Sequence, residues 1–222
     1  MDDGSCKGLY ARAVDRDAVR AAVRGAVTMS KPPRDSDNVV ELRQRRRAAD
    51  FRNPLDFFRK EHDRGRSLCR RLRTVVDTLP DRPDQALATE LIVFLREDLP
   101  MHVADEEQCL FPMLRARSLV GDPVDEWVRQ LCEEHAADLT LSARIAGLLA
   151  DVLRPAPDRV PDAVSRATRE LAVAAHRFAE CKYRHALWED IVILPHAELR
   201  FSASDWYDLG DQLSARRNFK NP

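Results

Sequence analysis

His102-Val103-Ala104-Asp105-Glu106-Glu107, followed after four residues by Pro112, is spelled again as His185-Ala186-Leu187-Trp188-Glu189-Asp190, followed after four residues by Pro195. On a helix, positions four apart lie ~40° apart and one turn along, so each histidine and its glutamate aim at one spot. Two such pairs facing each other in a helical bundle offer two imidazoles and two carboxylates. That donor mix suits dinuclear iron or manganese.

The punctuation around the repeat is helical. Asn53-Pro54 is a cap followed by a first-turn proline and opens a helix to about Leu79, with Pro80 and Pro83 as its stop. A second helix runs from about Asp84 to Arg117 with Pro100 and Pro112 inside it. Gly121-Asp122-Pro123 separates it from a third, which ends near Leu153 before Pro155 and Pro157. A fourth begins near Pro161 and stops at Pro195, and Ser204-Asp205 starts a shorter fifth to about Arg217. Four long helices joined by short turns specify an all-α, antiparallel up-and-down four-helix bundle over residues 53–200. Residues 201–222 form a C-terminal helix and tail. Residues 1–52, polar and with only broken helical periodicity, read as a mobile extension.

Stepping by sevens, which returns to nearly the same helix face, tests whether the donors point inward. His102 steps to Leu95 and Cys109, and Glu106 to Leu99, Ile92 and Met113. His185 steps to Phe178, Leu171 and Val192. The first and third helices each add a histidine in a Glu-His dipeptide, Glu61-His62 and Glu134-His135. His62 aligns with Leu55, Cys69 and Val76, and His135 with Val128 and Leu149, so these also face the core. The order His, His-x3-Glu, His, His-x3-Glu reads as one helical hairpin duplicated around a two-metal centre. Any one inward histidine is more often a hydrogen-bonded core residue than a ligand; four of them, two with a glutamate one turn on, reverse that balance. Buried carboxylates are costly unless a cation accompanies them.

Other residues of the same types read differently. His176-x3-Glu180 has the right spacing but lies nine residues, hence ~180°, from His185, on a face with Arg169, Tyr183 and Asp190; it reads as a surface pair. His196, after Pro195, reads as solvent-exposed. Glu107 and Asp190 read as acceptors behind the donors or as surface charges. Pro100 removes a backbone hydrogen bond to Arg96 and bends its helix beside His102, which either widens the bundle for metals or is a tolerated kink. Trp188 either walls a channel or packs; packing is the simpler reading.

Composition bounds the rest. The 222 residues carry 36 basic and 37 acidic side chains, so no global field recruits nucleic acid or an anionic membrane. The Arg45-Arg46-Arg47 cluster is diluted by Glu41 and Asp50 and has no interleaved aromatics. No apolar run reaches the ~18 residues of a membrane span, and no secretory signal precedes Met29, which competes with Met1 as the start. Five scattered cysteines, Cys6, Cys69, Cys109, Cys132 and Cys181, fit small core positions in a reducing compartment, hence the cytoplasm. A homodimer and a redox partner both stay open.

With Glu-Glu-x4-Pro after His102, Glu-His in the third helix and the tail Leu209-Gly210 leading to Arg216-Arg217, the chain resembles the hemerythrin-like family, or HHE cation-binding domain, over about residues 54–200. The resemblance implies a non-haem di-iron site in which His62 and His102 hold one iron, His135 and His185 the other, and Glu106 and Glu189 bridge them. It leaves room for water, oxide or a small diatomic. The oxygen carriers of that family have a further histidine where this chain has Leu139, and take their fourth-helix carboxylate from the position of Asp190; the spacing of Glu106 favours Glu189 here. The donor set is more similar to the iron–sulfur-cluster repair proteins and to peroxide-degrading hemerythrin-like proteins, although no cysteine-bearing domain is recognisable in residues 1–52. The implied function is reaction with peroxide, oxygen or nitric oxide in stress defence or iron-centre repair, with manganese or zinc as competing metals. The alternatives are an oxygen- or iron-sensing module without turnover and a metal that only stabilises the fold.

Overall fold

The structure, a computed structural model, describes residues 51–79, 84–153 and 161–217, the last segment with side chains from Arg166 onward. Residues 1–50, with Cys6, Met29 and the Arg45-Arg46-Arg47 cluster, lie outside the described residues, as do Pro80, Pro83, Pro155 and Pro157. Among the described residues all regular structure is helical.

Helix α1 is Pro54–Asp77. Asn53 caps it, its side-chain oxygen accepting from the Asp56 N–H at 3.3 Å, and Pro54 occupies the first turn, where no donor is needed. Helix α2 spans 85–117, capped by Asp84, which accepts from the N–H groups of Ala86 and Leu87. Gly121, at φ +100°, makes the turn into helix α3, Val124–Leu153, and Asp122 folds back to accept from the Leu119 N–H at 2.8 Å. Helix α4 spans 161–200, and helix α5 is Ala203–Arg216. Ser202 caps α5 in a reciprocal box with Asp205, two residues earlier than Ser204-Asp205 suggests. The α4 helix does not stop at Pro195 but continues to Arg200, because the proline sits early in a fresh α-helical turn, Leu194–Arg200.

Each internal proline is handled in one way. Leu99-Pro100, Phe111-Pro112 and Leu194-Pro195 are each preceded by a five-residue π turn: Phe94–Asp98, Glu106–Leu110 and Glu189–Ile193. The N–H of the residue before each proline reaches back five positions, from Leu99 to Phe94, Phe111 to Glu106 and Leu194 to Glu189. One extra residue in the turn relieves the clash between the proline ring and the preceding carbonyls. It also shifts the buried face by one position. Seven-residue steps across these turns land on Ile92, Met113 and Val192, which are only half-buried, whereas eight-residue steps land on Leu91, Leu114 and Ile193, which are buried.

Helix α4 packs along both α1 and α3, α2 packs on α3, and α5 covers the π turn at Glu106 and part of α1. The apolar end of this packing includes Phe58, Phe111, Leu114, Leu131, Leu194 and Leu209, all at most 1% exposed. Each such side chain contributes about 1.5–3 kcal/mol by leaving water. Phe51 is also buried, with its ring centroid 4.9 Å from that of Phe57, so core packing begins two residues before Asn53. Its carbonyl oxygen lies where a Cβ of Gly210 would sit, which explains glycine at that point of α5. No helix among the described residues is long and apolar enough to cross a membrane.

Candidate metal centre

His62 on α1, His102 and Glu106 on α2, His135 on α3, and His185 and Glu189 on α4 are all buried and converge. The histidines come from α-helical stretches, while Glu106 and Glu189 are each the first residue of a π turn. Two overlapping groups result: His62, His102, Glu106 and Glu189, and Glu106, His135, His185 and Glu189, each with donor atoms within 4.8 Å of one another. Glu106 Oε1 lies 3.4 Å from both His62 Nε2 and His102 Nε2, and its Oε2 lies 3.4 Å from His135 Nε2. Glu189 Oε2 lies 3.3 Å from His62 Nε2, and its Oε1 lies 3.2 Å from His185 Nε2 and 3.9 Å from His135 Nε2. Each carboxylate therefore turns one oxygen to each histidine pair.

Behind the rings, three of the four histidines are fixed through Nδ1. His62 Nδ1 is 2.6 Å from Asp190 Oδ1, whose other oxygen accepts from Arg66 at 2.7 Å. His135 Nδ1 is 3.0 Å from Glu107, and His185 Nδ1 is 2.7 Å from Glu134. An Nδ1–H donated to a carboxylate fixes the tautomer and leaves Nε2 as the basic, ligating nitrogen. His102 Nδ1, by contrast, has no hydrogen-bond partner. Glu61, the counterpart of Glu134 in the first Glu-His dipeptide, is instead drawn to Arg217, 3.4 Å away. Phe111 stacks parallel to His135 with centroids 5.9 Å apart.

Electrostatics matches this arrangement. Burial lowers His62, but its bonds to Asp190 and Glu106 outweigh that and push it up to about 10. His135 is likewise opposed by burial and carried up to about 9 by Glu106 and Glu107. His102, lacking an Nδ1 carboxylate, is held down to about 3, chiefly by burial. Glu106 and Glu189 are both held below the usual carboxylate range against burial, Glu106 chiefly by His102 and Glu189 chiefly by His185, so both are ionised. Glu106 Oε2 and both Glu189 oxygens are buried without a hydrogen bond. Ionised, dehydrated oxygens facing imidazole nitrogens are a donor set that a divalent cation fits and a proton alone serves poorly.

Residues outside the centre fall as follows. Asp190 and Glu107 sit behind His62 and His135. His176 is exposed on its edge and pairs with Asp77 at 2.7 Å rather than with Glu180. His196 is not solvent-exposed: because α4 continues past Pro195, its side chain is only 11% accessible and lies 3.3 Å from Asp122, with its ring edge-on to Trp127. Trp188 is half-buried and packs edge-on to Trp127 at 6.0 Å, against the core. Cys69 and Cys109 are buried free thiols. Sequence reasoning missed Glu134 as the partner of His185; the repeated Glu-His dipeptide was the signal. It also missed the buried Asp105, which accepts from Arg216 Nε at 3.0 Å and Arg217 Nε at 2.8 Å and so ties α5 to the turn that begins at Glu106.

No curated protein matches the chain. A family model described as Hemerythrin HHE cation binding domain matches residues 53–196, a span that encloses all six converging donors.

Proposed function

Because the chain belongs to the hemerythrin HHE cation-binding family, we propose that residues 53–200 form an antiparallel up-and-down four-helix bundle holding a non-haem di-iron centre that reacts with peroxide, oxygen or nitric oxide. His62 and His102 hold one ion, His135 and His185 the other, and Glu106 and Glu189 bridge them. The observation that carries this reading is the division of each glutamate between the two histidine pairs. Imidazole with carboxylate suits iron and manganese, and zinc competes for the same donors.

Two adjacent irons supply one-electron steps in pairs and positions for a small oxidant beyond the protein donors. The chain's own part is to keep those donors dry, oriented and basic. Asp190, Glu107 and Glu134 aim the imidazoles and raise their donor strength through Nδ1. Glu106 and Glu189, each one α-helical turn after a histidine and at the start of a π turn, stand between the histidine pairs, and Phe58 and Phe111 line His102 and His135 with apolar surface. The role that follows is peroxide or nitric oxide defence, or repair of iron centres, in a reducing cytoplasm that suits the buried thiols of Cys69 and Cys109.

A second reading, sensing without turnover, is favoured by the Asp105 clamp, because a change at Glu106 acts on the residue that anchors α5. Metal analysis of anaerobically purified protein, followed by exposure to oxygen, peroxide and nitric oxide, tests both. The enzyme reading expects about two irons per chain and oxygen release from peroxide, lost in His102→Ala and Glu189→Ala but kept in His176→Ala. A reversible spectral change without turnover supports sensing, and a colourless protein that retains zinc removes the di-iron reading.

A further inference from the structure

The duplicated hairpins differ in the layer of side chains next to the metal centre. Lys182, three residues before His185, corresponds to Leu99, three before His102; Asp138, three after His135, corresponds to Gly65, three after His62. One half thus carries a buried charge pair where the other carries an apolar side chain and a glycine. A Cβ on Gly65 would meet nothing within 4 Å.

A cavity of about 20 Å³ opens at this mismatch, with His62, His102, Gly65, Cys69, Leu99 and Lys182 among its walls. That is room for one or two waters or a ligand of two or three heavy atoms. Lys182 is 7% exposed, and its Nζ makes no hydrogen bond. Asp138 Oδ2 is 3.6 Å away, an ion pair too long for a hydrogen bond, and Asp138 is not part of the cavity wall. The other charged groups around the cavity are engaged: Arg64 with Asp98, Arg66 with Asp190 and Asp63, and Glu61 with Arg217. A dehydrated ammonium with unused donors is costly unless something accepts from it.

We propose that this cavity is a docking pocket for a small monoanion, of the class of hydroperoxide, nitrite or azide, with the Lys182 ammonium as its counter-charge and the space left by Gly65 as its seat. The proposal rests on the di-iron reading only for what lies beside the pocket. It makes the protein selective for charged over neutral small ligands at the His62–His102 side.

The test is an azide titration of the iron-loaded full chain followed by absorption, with nitric oxide binding to the reduced protein as the neutral control and iron content measured for every variant. Lys182→Met should weaken azide about tenfold or more, with Lys182→Arg close to wild type, nitric oxide unchanged and iron content retained. Unchanged azide affinity in an iron-replete Lys182→Met protein overturns the proposal. Should that variant lose iron or fail to fold, Gly65→Leu fills the seat and keeps the charge; azide must weaken there too, and if it does not, the proposal falls. A wild-type chain without iron overturns the di-iron reading alone. The pocket is then read from bromide-soaked crystals, where an anomalous peak within hydrogen-bond reach of Lys182 Nζ that disappears in Lys182→Met supports it and no peak overturns it.

Discussion

The first hairpin, α1 with α2, and the second, α3 with α4, present the same donors at the same spacing but hold them differently. In the second, His185 is braced by Glu134 and His135 by Glu107; in the first, His62 is braced by Asp190, but His102 Nδ1 has no partner because Glu61 is turned to Arg217. The first hairpin also carries Gly65 and Leu99 where the second carries Asp138 and Lys182. The repeated pattern accounts for the six converging side chains, and the differences between the two hairpins leave His102 alone among the four imidazoles without an Nδ1 partner, beside a cavity. A repeated set of side chains therefore does not imply equivalent surroundings.

The sharpest way to break the comparison is to remove what the halves share. Glu106→Ala or Glu189→Ala should lower metal content from about two ions per chain to near zero, since each glutamate faces both pairs. Elemental analysis that finds one ion retained would show that the halves bind independently. Next comes Arg217→Met, which leaves Asp105 with a weaker clamp and strips a guanidinium lying 4.8 Å over the Phe57 ring. Breaking a buried pair of this kind costs about 3–5 kcal/mol, read by denaturant unfolding; a loss below about 1 kcal/mol would mean the clamp is incidental.

A finer contrast sets Glu134→Gln against Glu61→Gln. The first should weaken metal affinity about 10–100-fold through His185, while the second should leave it within a few-fold, because Glu61 does not reach an imidazole. Equal losses would erase the asymmetry. The smallest effect is in pH. In the metal-free protein the carboxylates beside them push His62 up to about 10 and His135 up to about 9 against the opposing effect of burial, so both hold their protons at neutrality. Metal must expel those protons, so uptake strengthens as pH rises from about 6.5 to 9. Folding stability gained from the protonated rings is fully present below 6.5 and lost as pH rises through about 9 to 10, so the melting-temperature gap between loaded and metal-free protein should widen over that range. A flat gap would count against protonated rings in the metal-free state.

The donors were legible because a helix turns spacing into direction: His102 with Glu106 and His185 with Glu189 needed only the 3.6-residue period. Helix starts at Asn53 and Asp84 were legible because capping chemistry is local. What escaped reading was non-local or broke the period. Whether Glu134 meets His185 or solvent depends on a neighbouring helix, and nothing around Asp105 announces two arginines more than a hundred residues on. Seven-residue stepping fails at Ile92, Met113 and Val192, and His196 lies within α4 rather than beyond it, because the prolines do not simply kink or stop their helices. Each instead follows a widened turn, and a proline six residues after each of Glu106 and Glu189 is the cue.

Those widened turns set a condition on any attempt to transplant this centre into an idealised scaffold. A straight, evenly wound helix bearing the same His-x3-Glu spacing would point every residue beyond the glutamate about 100° away from where Leu114 and Ile193 now pack. The graft must carry the five-residue turn and its proline as one cassette, or the far end of the new protein will be wound with its oily side outward.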